Sequence, residues 1–212
     1  MEFKVIDLNS WYRKDHFEHF YNETPCTYST TVVLDITSIT NQKLYPILLW
    51  SITNVVNQIN EFKTSIINEK IVIFDKMVPA YTIFNNETKS FTSIWTDYFE
   101  DYNQFLKAYE EDVFKYSNST KYVSKENRPL NSFDVSMIPW LDFTSFNLNI
   151  HNEGKYLLPI FTIGKFKDID EKRIIPLAIQ VHHAVCDGYH VGLFVDLLQK
   201  EINKFKRNDN KK

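Results

Sequence analysis

Three histidines, a cysteine and an aspartate lie within one short segment near the carboxyl end of the chain, His182–His190. His and Cys side chains bind zinc, and the four-residue spacing of His182, Cys186 and His190 suits a metal site on a helix. A Cys–His pair can form an activated nucleophile, and a histidine can act as general base on a substrate hydroxyl. These residue types leave all three chemistries open, although Asp187-Gly188 indicates a break between strand and helix that weakens the metal interpretation.

Two strongly apolar elements flank this segment. Ile174–Val181 is nearly all apolar and predicts a strand buried on both faces. His190–Phe205 has apolar residues at helical spacing and predicts an amphipathic helix. A histidine at a strand end is more often a core residue, but several polar groups delivered to one turn favour a functional site. We expect Gly188 to supply an unusual backbone conformation where strand becomes helix.

The rest of the chain alternates β-rich and helical patterns. Predicted strands are Phe3–Leu8, Tyr28–Ile36, Phe62–Ile67, Lys70–Asp75, Ala80–Asn85, Ser90–Tyr98, Phe133–Ile138, Phe143–Ile150 and Tyr156–Ile163. Predicted helices are one capped by Ser10, one over Leu44–Ile59 and one from Asp101 to Tyr116. The strands between residues 62 and 99 suggest an antiparallel meander. Together these elements predict a two-layer α/β sandwich, with helices packed on a mixed, largely antiparallel sheet.

Composition excludes several classes of function. The chain has 212 residues and only 4 glycines, too few and too scattered for a Walker or dinucleotide-binding loop. A formal net charge of −3 disfavours non-specific nucleic-acid binding. We expect one domain over residues 1–212 with a disordered polar tail at about 206–212, and a soluble, cytoplasmic protein, because no signal-like or membrane-spanning apolar run is present. The two cysteines, Cys26 and Cys186, are expected to be free thiols.

The motif from Gln180 to His190, Gln-Val-His-His-Ala-Val-Cys-Asp-Gly-Tyr-His, resembles the active-site signature of the trimeric chloramphenicol acetyltransferases. That family is distinct from the hexapeptide-repeat acetyltransferases. The shorter core His-His-x-x-x-Asp-Gly is shared with dihydrolipoyl acyltransferases and peptide-synthetase condensation domains. Further similar segments extend the resemblance over nearly the whole chain: Trp11–Glu18, Tyr81–Phe84 with Phe91, Ser136–Trp140 and Phe143–Asn149.

The resemblance implies an activity and a mechanism. His183 matches the general base that takes the proton of the primary hydroxyl of chloramphenicol, which then attacks the thioester of acetyl-CoA directly. Its other ring nitrogen is implied to donate to the residue's own backbone carbonyl. Ser136 matches the donor to the tetrahedral oxyanion. Cys186 has no chemical role in this scheme, no metal takes part and no cofactor is tightly bound.

Other roles also follow only from the resemblance. Asp187, which might suggest a Ser-His-Asp triad, instead matches a structural aspartate that pairs with Arg13. The residues implied to bind the antibiotic are Cys26, Tyr28, Phe91, Leu148 and Thr162, the last through an ordered water. Trp140 and Phe166 are implied to contact coenzyme A, and Phe166 lacks the hydroxyl that relatives often carry there. The family is a homotrimer with each active site between subunits.

Two alternatives remain. One is a related acyltransferase with another hydroxyl or thiol acceptor, such as a dihydrolipoyl group; it is disfavoured because the chain lacks the swinging domains and linkers of lipoyl-dependent complexes. The other is a non-catalytic ligand-binding relative, disfavoured because His183, Ser136, Asp187 and Arg13 are all present.

Overall fold

The computed structural model describes residues 1–150 and 154–205 of the chain. Within these ranges the strands are β1 (Phe3–Val5), β2 (Thr27–Asp35), β3 (Thr64–Ile67), β4 (Lys70–Phe74), β5 (Val78–Asn85), β6 (Ser90–Trp95), β7 (Ser132–Met137), β8 (Ile160–Ile163), β9 (Lys167–Ile169) and β10 (Lys172–His182). The α-helices are α1 (Lys14–Glu18), α2 (Leu44–Val56), α3 (Tyr102–Tyr116) and α4 (Gly188–Ile202). A π-helical turn, His19–Glu23, extends α1, and a 3₁₀ turn spans Asn60–Lys63.

The main sheet is mixed. Its strand order is β2-β10-β8-β7-β5-β6, and β9 pairs with one end of β10. Strand β7 is parallel to β5 and β8, whereas the other pairs are antiparallel. The predicted fold class, helices on a mixed and largely antiparallel sheet, is confirmed.

The helices cover one face of this sheet. Val135, Phe161 and Ile179 lie side by side on neighbouring strands and are buried. The Phe161 ring stacks on Phe194 of α4 at a centroid distance of 5.1 Å, and Phe62 stacks on the same Phe194 at 4.9 Å. Because side chains alternate along a strand, the residues between these core positions project from the opposite face.

The predicted single meander between residues 62 and 99 is wrong. Strands β3 and β4 join β1 in a separate three-stranded sheet, while β5 and β6 form a hairpin in the main sheet. The side chain of Asn57 explains the separation: its amide accepts from Met77 N–H at 2.7 Å and donates to the Met77 carbonyl at 3.1 Å. Those backbone groups are therefore satisfied outside any ladder, and the chain turns from one sheet to the other.

Several other boundaries differ from prediction. Phe143–Ile150 is not a strand, because the amide of Leu148 bonds to the Gln180 side chain at 3.3 Å rather than to a neighbouring strand. The first helix begins at Lys14, since Ser10 bonds to Asp7 in a preceding turn instead of capping it. The short strand β9 was not predicted.

Gly188 does not have the predicted special conformation. It is the first residue of α4, its φ is not positive, and a Cβ there would meet nothing within 4 Å. The polar tail predicted at 206–212 lies outside the described residues. In the part of the chain that the structure describes, no helix is both long and apolar enough to cross a membrane.

Candidate active site

The turn after β10 places His183 between aromatic rings. Its backbone N–H donates to the carbonyl of Cys26 at 2.9 Å, which extends the pairing of β10 with β2 by one residue. The imidazole stacks on Phe20 with ring centroids 4.0 Å apart and planes 11° apart, and the Tyr28 ring meets it edge-on at 5.4 Å. Phe20 belongs to the π-helical turn, a local irregularity often found at functional sites.

Stacking, rather than the predicted hydrogen bond, orients the His183 ring. Nδ1 is buried and has no partner among the described residues, so the expected bond to the residue's own carbonyl is not formed. That carbonyl instead accepts from Arg13 Nη2 at 3.5 Å. Because Nδ1 is enclosed, Nε2 is the ring nitrogen left for a substrate.

His182, the first histidine of the pair, is fully buried and has both ring nitrogens engaged. Nδ1 accepts from Ala184 N–H at 3.1 Å, so Nε2 carries the proton and donates to the Gly154 carbonyl at 2.5 Å. Burial lowers the pKa of His182, which favours the neutral ring. Gly154 has a φ of 68°, and a Cβ there would lie 2.5 Å from Pro25 Cβ, so this anchor requires glycine.

Asp187 and Arg13 form an ion pair behind the turn. Arg13 Nη1 lies 2.8 Å from Asp187 Oδ2, and the two side chains are 4% and 31% exposed. Asp187 also caps α4, because Oδ1 accepts from Tyr189 N–H at 3.1 Å. Burial raises the pKa of Asp187, but the Arg13 hydrogen bond and the nearby charges of His190 and Arg13 outweigh it, and the pKa is lowered. The carboxylate therefore ties the amino-terminal segment to the His183 turn.

In the described residues, neither the Cys186 thiol nor the set His182, Cys186 and His190 is arranged for nucleophilic or metal chemistry. Cys186 is buried, burial raises the pKa of its thiol, and both cysteines are free. The helical spacing of His182, Cys186 and His190 does not hold, because they lie in a strand, a turn and a helix respectively. Across residues 1–150 and 154–205, no group of three or more His, Cys, Asp or Glu side chains is arranged to bind a metal.

Ser136 lies elsewhere, on the sheet face away from the helices. It pairs with Thr162 across β7 and β8, and Thr162 pairs with Ala178 of β10. The hydroxyls of Ser136 and Thr162 are 3.2 Å apart, with Thr162 buried and Ser136 half-buried. This row offers two hydroxyl donors side by side.

A single chain does not bring Ser136 and His183 together. From Ala178 to His183 the chain runs roughly 16 Å at the rise per residue of a strand, and β7 lies two strand spacings, about 10 Å, from β10. The two residues are therefore roughly 19 Å apart between backbones. The two residues also lie on opposite sides of the sheet. Tyr28, whose ring contacts His183, pairs with Val181 on the helix-covered face. Ser136 lies on the other face, together with Thr162 and Ala178.

The predicted antibiotic-binding residues divide in the same way. Cys26 and Tyr28 lie with His183. Leu148 and Thr162 line a small cleft on the Ser136 face, together with Ser29, Phe146, Ile160, Ala178 and Gln180. Phe91 is exposed and pairs with Phe84, on the same face as Ser136 by strand register.

The two residues expected at coenzyme A lie on neighbouring loops. Lys165 N–H donates to the Leu141 carbonyl at 2.7 Å, which joins the segments carrying Trp140 and Phe166. Trp140 is 58% exposed and packs edge-on against Phe84 at 4.7 Å. Phe166 is 40% exposed and lies under the Arg173 guanidinium at 4.8 Å. Both rings are available to a ligand.

Sequence reasoning missed Phe20 and Gln180. Phe20 beside Phe17 and Tyr21 fits an ordinary apolar helix face, and nothing in that pattern indicates the π-helical turn. Gln180 accepts from Ser29 Oγ and Leu148 N–H, each at 3.3 Å, and so holds the loop that closes the cleft. A polar residue inside the apolar run Ile174–Val181 was the available signal.

Comparison with known proteins gives consistent matches. A family model described as "Chloramphenicol acetyltransferase" matches residues 1–199. A chloramphenicol acetyltransferase of Clostridium perfringens is 50% identical over 206 residues, covering 96% of this chain and 100% of the relative. One from Campylobacter coli is 48% identical, with 96% and 100% covered. A solved structure named chloramphenicol acetyltransferase superposes with a TM-score of 0.87 at 21% identity, covering 95% of this chain and 100% of that one.

Proposed function

The chain belongs to the chloramphenicol acetyltransferase family, and from that membership we propose that it acetylates the primary hydroxyl of chloramphenicol with acetyl-CoA and so inactivates the antibiotic. The observation that carries the proposal is the setting of His183. Its imidazole is stacked on Phe20 with Nδ1 enclosed, which leaves Nε2 as a proton acceptor of fixed direction.

His183 acts as the general base. Nε2 removes the hydroxyl proton as the oxygen attacks the acetyl carbonyl carbon, forming a carbon–oxygen bond and a tetrahedral oxyanion. Collapse of this intermediate breaks the carbon–sulfur bond, and the imidazolium returns its proton to the departing thiolate. The ester and free coenzyme A are the products, and His183 is again neutral. No acyl-enzyme is needed, because the thioester is already activated.

Ser136 donates a hydrogen bond to the oxyanion. Loss of one such donor costs about 10²–10³ in rate. The adjacent Thr162 hydroxyl, 3.2 Å from Ser136 Oγ, holds the serine or a water near the reacting hydroxyl. Cys26, Tyr28, Phe91 and Leu148 provide the largely apolar surroundings that suit a nitrophenyl ring and a dichloroacetyl group.

The complete site forms between subunits of a homotrimer. The estimated separation of roughly 19 Å between Ser136 and His183 in one chain supports this arrangement. One subunit supplies His183 with its Arg13–Asp187 support, and its neighbour supplies Ser136 and the adjoining cleft. Coenzyme A lies along Trp140 and Phe166 as a co-substrate that leaves after each turnover. A cytoplasmic location stays a prediction from the sequence.

Purified protein tests the proposal directly. Acetyl-CoA and chloramphenicol are mixed with the protein, and release of the coenzyme A thiol is followed with a thiol reagent. We expect turnover that His183→Ala abolishes and that a metal chelator leaves unchanged. Turnover with dihydrolipoamide or another alcohol but not chloramphenicol would reject the substrate. Substrate binding without turnover would indicate a non-catalytic relative, and a metal requirement would reject the mechanism.

A further inference from the structure

The Asp187 carboxylate has a second set of contacts, beyond its bond to Arg13. Its Oδ1 lies 2.9 Å from His190 Nδ1, on the first turn of α4. The other nitrogen of that imidazole, Nε2, lies 3.6 Å from Glu61 Oε1. Glu61 Oε1 in turn accepts from the Tyr12 hydroxyl at 2.7 Å. Since Tyr12 precedes Arg13 in the chain, these contacts close on themselves, and we call the five residues the polar ring.

Three members of the polar ring are largely withdrawn from solvent. Arg13 is 3% exposed, and the side chains of His190 and Glu61 are 11% and 17% exposed. Tyr12 lies on the outer side and is 72% exposed, and partial desolvation of its hydroxyl together with Glu61 raises its pKa to about 12. A buried His–Glu contact of this kind is costly unless its members hold one another in place. The ring joins the segment before α1, the 3₁₀ turn, the His183 turn and α4.

We infer that His190 and Glu61 are positioning residues for the transfer reaction, acting through Asp187 and Arg13 on the backbone of His183. This inference rests on the proposed function. Both Asp187 oxygens are engaged, Oδ2 by Arg13 and Oδ1 by His190, so the carboxylate plane is set from two sides. The same Nδ1 lies 3.2 Å from Asp187 N, so it accepts from that N–H, as in a capping box, when it carries the lone pair, and donates to Oδ1 when it is protonated; His190 is tied to Asp187 in either form.

The link from the ring to the general base is short. Arg13 Nη2 reaches the His183 carbonyl at 3.5 Å, so a displaced Asp187 releases the guanidinium that holds that carbonyl. Among the described residues, neither His190 nor Glu61 forms a hydrogen bond or ion pair with His183. Their effect therefore passes through Asp187, and it vanishes when Asp187 no longer holds Arg13.

Three variants test the roles of the ring residues. His190→Leu removes the polar contacts, His190→Gln restores a usual capping-box acceptor, and Glu61→Gln keeps the shape but removes the charge. We expect His190→Leu and Glu61→Gln to lower kcat roughly 5- to 50-fold, which lies within the range of coupling between contacting residues, with KM for both substrates little changed. His190→Gln should recover much of that loss. The matched control is Glu110→Gln, which breaks the exposed ion pair with Lys43 at 2.7 Å and should leave kcat unchanged.

A double-mutant cycle with Asp187→Asn decides the mechanism. If the ring acts through Asp187, adding His190→Leu to Asp187→Asn lowers kcat little further, whereas independent effects would multiply. Assays well below each variant's melting temperature ensure that a lower kcat reflects altered positioning and not partial unfolding. The inference would be overturned if the two effects on kcat multiplied, or if the His190 and Glu61 variants had a lower melting temperature but full kcat. In either case, turnover by the wild type would leave the proposed function standing. An inactive wild type would overturn both.

Discussion

Mixed trimers made from two variants, each lacking one catalytic group, test whether one active site draws on two chains. His183→Ala removes the base and Ser136→Ala removes the oxyanion donor. Their positions in one chain are separated by roughly 16 Å along β10 and about 10 Å across the sheet. A hydrogen-bond donor must lie about 2.7–3.1 Å from the oxyanion, and no side-chain rotation in one subunit spans the difference. In the proposed trimer, a functional pair is therefore drawn from two subunits.

The expected recovery can be calculated from this arrangement. In random trimers of equal amounts of the two variants, a site is intact when a chain with His183 meets a neighbour with Ser136. Each condition holds for about half of the positions, so about one quarter of the sites are complete. Residual turnover of Ser136→Ala, lower by about 10²–10³, is small beside this.

The assay uses co-refolded mixtures with different affinity tags, followed by chloramphenicol acetylation. Wild type mixed with the His183→Ala/Ser136→Ala double variant provides a second measure. Sites within one chain would then retain about half of the activity, whereas shared sites retain about one quarter. If tag-selected mixed trimers of the single variants had no activity, the estimate of separation and the shared-site proposal would both be refuted.

The ion pair, the thiol and a close glycine give four further predictions. Asp187→Asn keeps a capping side chain but leaves the buried Arg13 charge without its carboxylate partner. We expect the free energy of unfolding to fall by about 3 kcal/mol, the melting temperature to fall by about 6–12 °C, and kcat to be reduced. Full stability with no activity would instead support direct catalysis by Asp187. Because the pKa of Asp187 is lowered in the fold, its stabilisation is present above the ordinary carboxyl pKa and is lost as pH falls through the lower value. The difference in melting temperature between wild type and Asp187→Asn should accordingly shrink below about pH 4, and a constant difference would contradict that origin. Cys186→Ala should keep most of kcat, and complete loss would revive a thiol mechanism. Gly164→Ala should lower the melting temperature, because a Cβ would lie 2.7 Å from Pro176 and 2.8 Å from Phe143; an unchanged melting temperature would show that this contact relaxes freely.

Sequence reasoning predicted the elements well where one periodicity dominates. The apolar run ending at Val181 and the amphipathic pattern after His190 correspond to β10 and α4. It failed where backbone groups bond to side chains, as Leu148 does with Gln180 and Met77 with Asn57. Such bonds satisfy the backbone N–H and C=O groups of a segment without strand pairing. The sequence of that segment does not reveal which distant side chain will bond to it.

The two histidines illustrate the same limit within the candidate site. Their spacing gives no reason for His182 and His183 to differ, and the resemblance alone selected the second. In the structure, His182 is tied at both nitrogens to Gly154 and Ala184, whereas His183 is stacked on Phe20 with one nitrogen available. The distinction depends on the position of Gly154 and on the π-helical turn, neither of which the local pattern predicts.

The division of the site between two sheet regions explains why its parts differ in how readily sequence shows them. His183, Asp187 and His190 come from one turn, so their spacing forms a compact motif that any reader of the sequence meets at once. Ser136 acquires its hydroxyl neighbour Thr162 only through strand register. In the proposed trimer, its catalytic partner comes from another subunit. A residue whose chemistry depends on such non-local pairing leaves no spacing pattern of its own. The weakness of the serine signal is therefore the expected consequence of a shared site, and the activity of mixed trimers measures the same arrangement directly.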